Sequence, residues 1–253
     1  MAPKASVLLP LYIYPSPGAW QPLYQTAVQY PGVDFTIIIN PNSGPGDGML
    51  PDANYTHGVA TLNKLDNVRT IGYVATNWGQ KDAQKVLQEV TTYSGWTSQD
   101  SSVALDGIFF DETPAQYHPD HAQYLLKVSE AVREADGFGS GCVVHNPGCV
   151  PAMQYYTDPS YVTLADVTVV FEDAYQTWLS RQSNLTSTSL PFDHGKLGCL
   201  LHSVPLMTER SLSALIEQVA GVGAHVYLTG TTNYTSFSPQ FPTFVDALDR
   251  LIN

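Results

Sequence analysis

Short apolar runs alternate with helical segments along the whole chain, and this alternation most restricts the fold. Eight runs are predicted as strands, at 7–13, 34–40, 68–75, 105–112, 141–146, 167–173, 196–203 and 224–229. Helical spacing follows them at 20–30, 55–65, 81–93, 121–135, 152–156, 175–182, 208–222 and 241–252. The strands are mostly continuous apolar runs, which indicates a parallel sheet buried on both faces. Eight such units in 253 residues, without a linker, predict a single-domain (β/α)8 TIM barrel over residues 1–253.

A doubly wound sheet would also explain the alternation of strands and helices. That fold usually carries a glycine-rich nucleotide loop after its first strand. Here the position holds Pro15, Ser16, Pro17 and Gly18, and neither a GxGxxG nor a Walker A pattern occurs in the sequence. The barrel is therefore the preferred fold, and we expect no nucleotide cofactor.

Charge restricts the class of partner. The sequence has 11 basic against 23 acidic residues, a formal charge of -12, and only 13% charged residues. Nucleic acid and anionic membranes need a basic surface, so we expect neither as a partner. No apolar run approaches the roughly 20 residues that span a bilayer.

Other features indicate a secreted or cell-wall associated protein. Three N-glycosylation sequons begin at Asn54, Asn184 and Asn233, and the polar residues are mostly uncharged. The segment that starts at Met1 lacks the apolar core of a signal peptide, so we expect that a leader has been replaced there. We expect a monomer. The cysteines Cys142, Cys149 and Cys199 are compatible with one disulfide and a free thiol, or with three buried thiols.

Acidic residues collect where two of the predicted strands end. Asp111 and Glu112 end the fourth strand, and Glu172 and Asp173 end the sixth. Active sites of barrels of this kind lie at the carboxyl ends of the strands, and paired carboxylates suit glycoside hydrolysis. Because side chains alternate along a strand, only one of Asp111 and Glu112 can point squarely into the lumen, and we expect Asp111.

Further polar and aromatic side chains lie at the other predicted strand ends. Each of these side chains could bind a sugar or could simply pack in the core, and the sequence does not decide between the two roles. The two histidines among them have no HxH or HExxH spacing, so we expect no metal. The candidate substrate-binding residues are Tyr12, Asn40, Tyr73, His145, Asn146, His202 and Tyr227, with Tyr14 and Trp78 as additional stacking surfaces.

Several motifs between residues 7 and 172 resemble a known family. They are, in order, Val-Leu-Leu-Pro-Leu-Tyr-Ile-Tyr-Pro, Ile-Ile-Asn-Pro-Asn-Ser-Gly-Pro-Gly, Gly-Tyr-Val-Ala-Thr, Asp-Gly-Ile-Phe-Phe-Asp-Glu and Val-Phe-Glu. The chain resembles the spherulin-4, or spherulation-specific family 4, proteins, which form glycoside hydrolase family 135 of fungi and slime moulds. The resemblance implies a secreted (β/α)8 endo-acting hydrolase that cleaves α-1,4-linked N-acetylgalactosamine in galactosaminogalactan, a fungal exopolysaccharide. It also implies that Asp111, Glu112 and Glu172 are the essential acids.

The hypothesis from the sequence gives each acid a role. Asp111 is the nucleophile or electrostatic stabiliser, Glu172 the general acid/base, and Glu112 a supporting acid that orients the substrate or tunes a pKa. Retaining, inverting and substrate-assisted mechanisms all stay open. Two other functions also stay open. One is a catalytically silent polysaccharide-binding or spore-coat barrel, and the other is a metal-dependent carbohydrate deacetylase.

Overall fold

A closed barrel of eight parallel strands, in the order of the sequence, forms the centre of the molecule. The computed structural model describes residues 4–161, 164–189 and 192–253, so Met1, where a leader was expected to be replaced, lies outside the described residues. The strands are β1 (Ser6–Leu11), β2 (Phe35–Ile39), β3 (Val68–Ala75), β4 (Leu105–Asp111), β5 (Phe138–Asn146), β6 (Val167–Ala174), β7 (Leu197–His202) and β8 (His225–Leu228).

A helix follows each strand. The helices are α1 (Gln21–Gln29), α2 (Ala53–Leu62), α3 (Ala83–Gln99), α4 (Pro119–Glu134), α5 (Gln154–Thr157), α6 (Tyr175–Ser189), α7 (Glu209–Ala220) and α8 (Phe241–Ile252). Pairing of β1 with β8 closes the barrel, with Val7 opposite Val226. The predicted (β/α)8 fold is confirmed.

The helix α3 continues past its predicted end. α3 was expected to end near residue 93, because Ser94 and Gly95 weaken the helical pattern, but it continues to Gln99. Trp96 explains the extension, since its side chain is buried and packs edge-on against Tyr93 at 4.9 Å between ring centroids. Helical structure in proteins depends more on burying such a face than on propensity.

A glycine aligns the two strands that carry the central residues of the site described below. A Cβ atom on Gly107 would lie 1.9 Å from the carbonyl oxygen of Cys142, so only glycine fits where β4 approaches β5. The register is shifted just before this point and then runs regularly to the pair Asp111 and Asn146. Close packing at the start of β4 thus fixes which residues face each other at its end.

The cysteines are not paired. Cys142 and Cys199 are buried thiols, and Cys149 is an exposed one. The expectation of one disulfide is therefore wrong, and so is that of three buried thiols. Burial raises the pKa of the Cys142 thiol to about 11, so this side chain behaves as a small apolar group.

The described residues contain neither a helix that could span a membrane nor a cluster that could hold a metal ion. None of their helices combines the length and the hydropathy that crossing a bilayer requires. They contain no group of three or more histidine, cysteine, aspartate or glutamate side chains placed to hold a metal ion.

Candidate active site

Two carboxylates meet at the carboxyl end of the barrel through one amide group. The Nδ2 atom of Asn146, at the end of β5, donates to Oδ1 of Asp111 at 2.7 Å and also to Oε2 of Glu172. An amide NH₂ has two hydrogens, so one nitrogen atom can serve both acids. Asp111 and Glu172, which the sequence placed on separate strands, therefore form a single cluster.

Asp111 is half-buried and surrounded by donors. The Tyr73 hydroxyl donates to its Oδ2 at 2.9 Å, and the backbone N–H of Glu112 donates to its Oδ1 at 2.9 Å. Burial raises the pKa of Asp111, while the hydrogen bonds from Tyr73, Glu112 and Asn146 oppose this rise. Donors aimed at both oxygens favour the ionised form of this carboxyl.

Glu172 has fewer donors and a charged neighbour. The Tyr234 hydroxyl donates to its Oε1 at 2.7 Å, and Asn146 donates to its other oxygen. Burial raises the pKa of Glu172, and the negative charge of Asp111 raises it further. Two close carboxylates resist ionising together, so Glu172 is the one suited to keep a proton.

The spacing of the acids follows from the shared donor. Because an N–H···O hydrogen bond spans about 3 Å, two oxygens bound to one nitrogen are at most roughly 6 Å apart. Carboxyl groups about 5 to 5.5 Å apart are typical of retaining glycosidases, and inverting ones need about 6.5 to 9.5 Å. The bound applies to the two nearest carboxylate oxygens, and it lies below the separation that inverting enzymes use.

Three tyrosines surround the two acids. The ring of Tyr12 lies edge-on to Tyr73 at 5.5 Å and to Tyr234 at 5.6 Å between centroids. Burial raises the pKa of the Tyr12 hydroxyl, and the charges of Asp111 and Glu172 raise it further. These phenols stay protonated at neutral pH and can act only as neutral donors or acceptors.

Glu112 lies outside the regular strand. Its φ is 53°, in the left-handed region that a non-glycine residue rarely adopts. Its carbonyl oxygen accepts from Thr76 Oγ1 at 2.7 Å and from the Trp78 N–H at 2.6 Å. The backbone turns at Glu112, so strand alternation ends at Asp111, which is the acid of this pair that reaches the cluster.

Comparison with known proteins assigns this chain to a family. The sequence profile named Spherulation-specific family 4 matches residues 6–248. The chain belongs to spherulation-specific family 4. Spherulin-4 of Physarum polycephalum is 30% identical over 261 residues, which cover 96% of this chain and 70% of that protein. The resemblance inferred from the motifs is confirmed.

Solved structures show the same fold. Aspergillus clavatus Sph3 in complex with GalNAc superimposes with a TM-score of 0.90 at 40% sequence identity, covering 98% of both chains. An endo-beta-N-acetylglucosaminidase from Cordyceps militaris, at 9% identity, gives a TM-score of 0.57 over 97% of this chain and 90% of that one. At this low identity the second likeness concerns only the barrel fold.

In this member of spherulation-specific family 4, His145 is not part of the cluster. Its Nε2 lies 3.0 Å from Ser129 Oγ on α4, and its ring packs against Phe110. The neighbouring Asn146 points to the acids, so alternation along β5 turns His145 to the helix layer. The predicted site residue His145 is therefore turned away from Asp111 and Glu172 and contacts the helix layer.

Three other predicted sugar-binding residues also have structural roles. Tyr227 is only 2% exposed and packs against Tyr234 and α8, so it supports the site from below. Asn40 Oδ1 accepts the Gly44 N–H at 3.0 Å and thereby shapes the loop after β2. His202 Nδ1 lies 2.9 Å from Ser203 Oγ, and this histidine is half-buried at the end of β7. Of these three, Asn40 and His202 are half-buried and keep surface open to a ligand, and Tyr227 does not.

Sequence reasoning missed Tyr234. It lies in the loop between β8 and α8, inside the sequon that begins at Asn233, and no local pattern marks it. Its position depends on barrel closure, because its carbonyl oxygen accepts the N–H of Tyr12 at 3.2 Å. A tyrosine in a loop at the catalytic end of a barrel was the only available signal.

The Tyr234→Phe variant tests how Glu172 is tuned. Loss of the hydroxyl removes a donor that lowers the pKa of Glu172, so the pKa rises and the alkaline limb of activity moves to higher pH. We expect kcat to fall about tenfold, because a weaker acid donates its proton more slowly. Rates against pH measure both effects. Tyr24→Phe, which removes a hydroxyl bonded to Gly58 instead, is the control, and an unmoved limb would contradict the assignment.

His145 is expected to affect stability and not activity. Burial lowers its pKa from 6.5 to about 3, so the folded protein holds the imidazole neutral. Stability from the neutral ring is present above pH 6.5 and is lost as pH falls from about 6.5 toward 3. His145→Leu removes this pH-dependent component, so Tm depends less steeply on pH. The substitution also leaves the Ser129 hydroxyl without its partner, which lowers the free energy of unfolding by about 1–3 kcal/mol at neutral pH. Measurements of Tm from pH 4 to 7 and of kcat check this prediction. The variant His57→Leu, at an exposed position, is the control.

Proposed function

We propose that the protein is an endo-acting glycoside hydrolase that cleaves α-1,4-linked N-acetylgalactosamine in a galactosaminogalactan-type exopolysaccharide. The observation that carries the proposal is the pair of half-buried acids, Asp111 and Glu172, held by one amide nitrogen of Asn146. Holding two carboxyl groups this close is costly for folding, and it is what glycoside hydrolysis requires. Membership of spherulation-specific family 4 supports the same class of activity.

Glu172 acts first as the general acid. Burial and the charge of Asp111 raise the pKa of Glu172, which favours the protonated form, and that proton is given to the glycosidic oxygen as the bond to the anomeric carbon breaks. Tyr234 and Asn146 fix the two oxygens of this group, so that the proton is held in one place. Positive charge develops on the sugar ring during this step.

The Asp111 carboxylate stabilises that positive charge. Its three donors keep the carboxylate ionised, and its spacing from Glu172 fits attack on the anomeric carbon with retention of configuration. The attack forms a bond between an Asp111 oxygen and the anomeric carbon as the bond to the leaving oxygen breaks. Glu172, now ionised, then takes a proton from water while the water oxygen attacks the anomeric carbon, and the bond to Asp111 breaks, which releases the sugar and restores both carboxyl groups. Attack by the substrate's own N-acetyl oxygen does not fit this linkage, because the 2-acetamido group of an α-linked N-acetylgalactosamine lies on the same face of the ring as the leaving oxygen.

The substrate class is supported by a relative and by charge. The Aspergillus clavatus Sph3 structure, 40% identical to this chain, contains GalNAc. A polymer with some free amino groups is cationic, and the net charge of -12 favours its approach to this protein. Secretion is supported by the sequon residues Asn54, Asn184 and Asn233, which are all exposed. Glycan mass at these positions, in protein from the native host, tests the secretory route.

Product analysis tests the activity. The wild-type protein is incubated with an α-1,4-linked galactosamine polymer, and the products are sized while new reducing ends are counted. A rapid fall in polymer size with few monomers is the result expected of an endo-acting enzyme. Binding without new reducing ends would instead identify a silent polysaccharide-binding barrel. Release of acetate that a chelator abolishes would identify a deacetylase.

A further inference from the structure

One tryptophan differs from the others in its surroundings. Trp20, Trp96 and Trp178 are at most 2% exposed, whereas Trp78 is 53% exposed. Trp78 also contributes to neither hydrophobic cluster of the residues that the structure describes. A single exposed apolar side chain is common on protein surfaces, so the meaning of Trp78 depends on how its backbone is held and on what lies beside it.

The backbone around Trp78 is held in an uncommon conformation. Asn77 and Trp78 have φ values of 49° and 52°, both in the left-handed region, and Glu112 across from them has 53°. The Trp78 N–H and Thr76 Oγ1 both donate to the Glu112 carbonyl oxygen, at 2.6 and 2.7 Å. Non-glycine residues persist there only when their surroundings fix them, and they concentrate at ligand sites. The indole is thus presented by a rigid loop.

The position of this loop relates it to the acids. Trp78 follows β3 at the carboxyl end of the barrel, and it is fastened to Glu112, the residue directly after Asp111. Yet the hydrogen bonds around Asp111 and Glu172 come from other residues. Trp78 is therefore joined through Glu112 to the strand end that carries Asp111 and makes no hydrogen bond to either acid, as expected of a residue that contacts the next unit of a chain-like substrate.

The chemistry of the surface suits a sugar ring. A flat indole binds the C–H face of a pyranose, and in the galacto configuration the axial 4-hydroxyl leaves several C–H groups together on one face. The Glu112 carboxylate makes no side-chain hydrogen bond or ion pair within residues 4–161, 164–189 and 192–253. It is free to accept from a hydroxyl, an acetamido N–H or an ammonium group.

We propose that Trp78 and Glu112 form a subsite that binds a galacto-configured hexosamine unit next to the unit whose bond is cleaved. The identity of the sugar rests on the proposed function. The stacking surface itself does not depend on whether the bond is then hydrolysed, and the experiment uses this difference.

The test follows binding without cleavage. An α-1,4-linked N-acetylgalactosamine oligosaccharide is titrated into the Glu172→Gln protein, and tryptophan fluorescence and heat are measured together. Because the other three tryptophans are buried, stacking on Trp78 is expected to change the emission. In the Glu172→Gln background, Trp78→Phe removes that change but keeps most of the affinity, and Trp78→Ala weakens binding about tenfold, or 1.4 kcal/mol. Val28→Ala, an exposed apolar position on α1, is the control and keeps both.

Each result has a defined meaning. An emission that does not respond, equal affinity in Trp78→Ala, or no binding at all overturns the subsite. An emission change in wild-type protein that releases no reducing ends leaves the subsite standing and removes the proposed hydrolysis. Hydrolysis by wild-type protein with no effect of Trp78→Ala on KM for the polymer removes the subsite and leaves the hydrolysis standing.

Discussion

Glu172→Gln is expected to lower kcat about 10²- to 10⁴-fold on the polysaccharide, the usual contribution of a general acid/base. The amide keeps the size of the side chain. Its oxygen can accept from Asn146 while its NH₂ group donates to the Tyr234 hydroxyl, but it has no acidic proton to transfer. Aryl glycosides with good leaving groups need less protonation, so the first step on them should lose far less. Steady-state rates on both kinds of substrate measure the difference.

The same variant is expected to be more stable than the wild type at neutral pH. The folded-state pKa of Glu172 is raised, so the stability that the carboxyl contributes is present at low pH and is lost as pH rises through that pKa. The amide does not ionise, and the gain in Tm should therefore shrink below the ordinary carboxyl pKa of 4.5. Lower activity with higher Tm distinguishes a catalytic role from a structural one, and a loss of both would contradict the assignment.

Asp111→Asn is expected to lower kcat about 10³- to 10⁵-fold, the range found when one member of a catalytic set is removed. The neutral amide cannot stabilise positive charge on the sugar, and its NH₂ group faces donors from Tyr73 or Asn146. The alkaline limb of the pH profile should also change, because the charge of Asp111 raises the pKa of Glu172. Rates against pH measure both effects.

A smaller side chain at the same position separates the two mechanisms. Asp111→Ala leaves room for azide, which can replace a missing carboxylate nucleophile. If Asp111 attacks directly, azide restores turnover and gives a glycosyl azide of inverted configuration. If Asp111 only stabilises the developing positive charge, azide does not restore turnover. Wild-type rates in a folded Asp111→Asn protein would remove Asp111 from the reaction altogether.

The fold could be predicted because its signals are local. Each strand is an apolar run and each helix a 3.6-residue pattern, so β3 and α8 have their predicted limits. Position along the barrel axis was also predictable, since Asp111, Asn146 and Glu172 all end strands. What the sequence does not carry is the direction of a side chain where the backbone leaves regular geometry, as at Glu112.

Long-range contacts explain the remaining differences. His145 was assigned to the site by its place at a strand end, but the adjacent Asn146 takes the inward direction on β5. Tyr234 was missed because its contact with Glu172 joins residues 62 positions apart through a loop without regular structure. Such contacts depend on tertiary packing, which no motif of a few residues records.

Closure of the barrel has a consequence for synthesis. Tyr12 follows β1, the first strand of the barrel to be synthesised, and Tyr234, which reaches Glu172, follows β8, the last strand. A nascent chain that has folded its early strands still lacks one wall of the site until β8 and the loop after it have left the ribosome. Partial chains therefore present an incomplete cluster until β1 and β8 have paired.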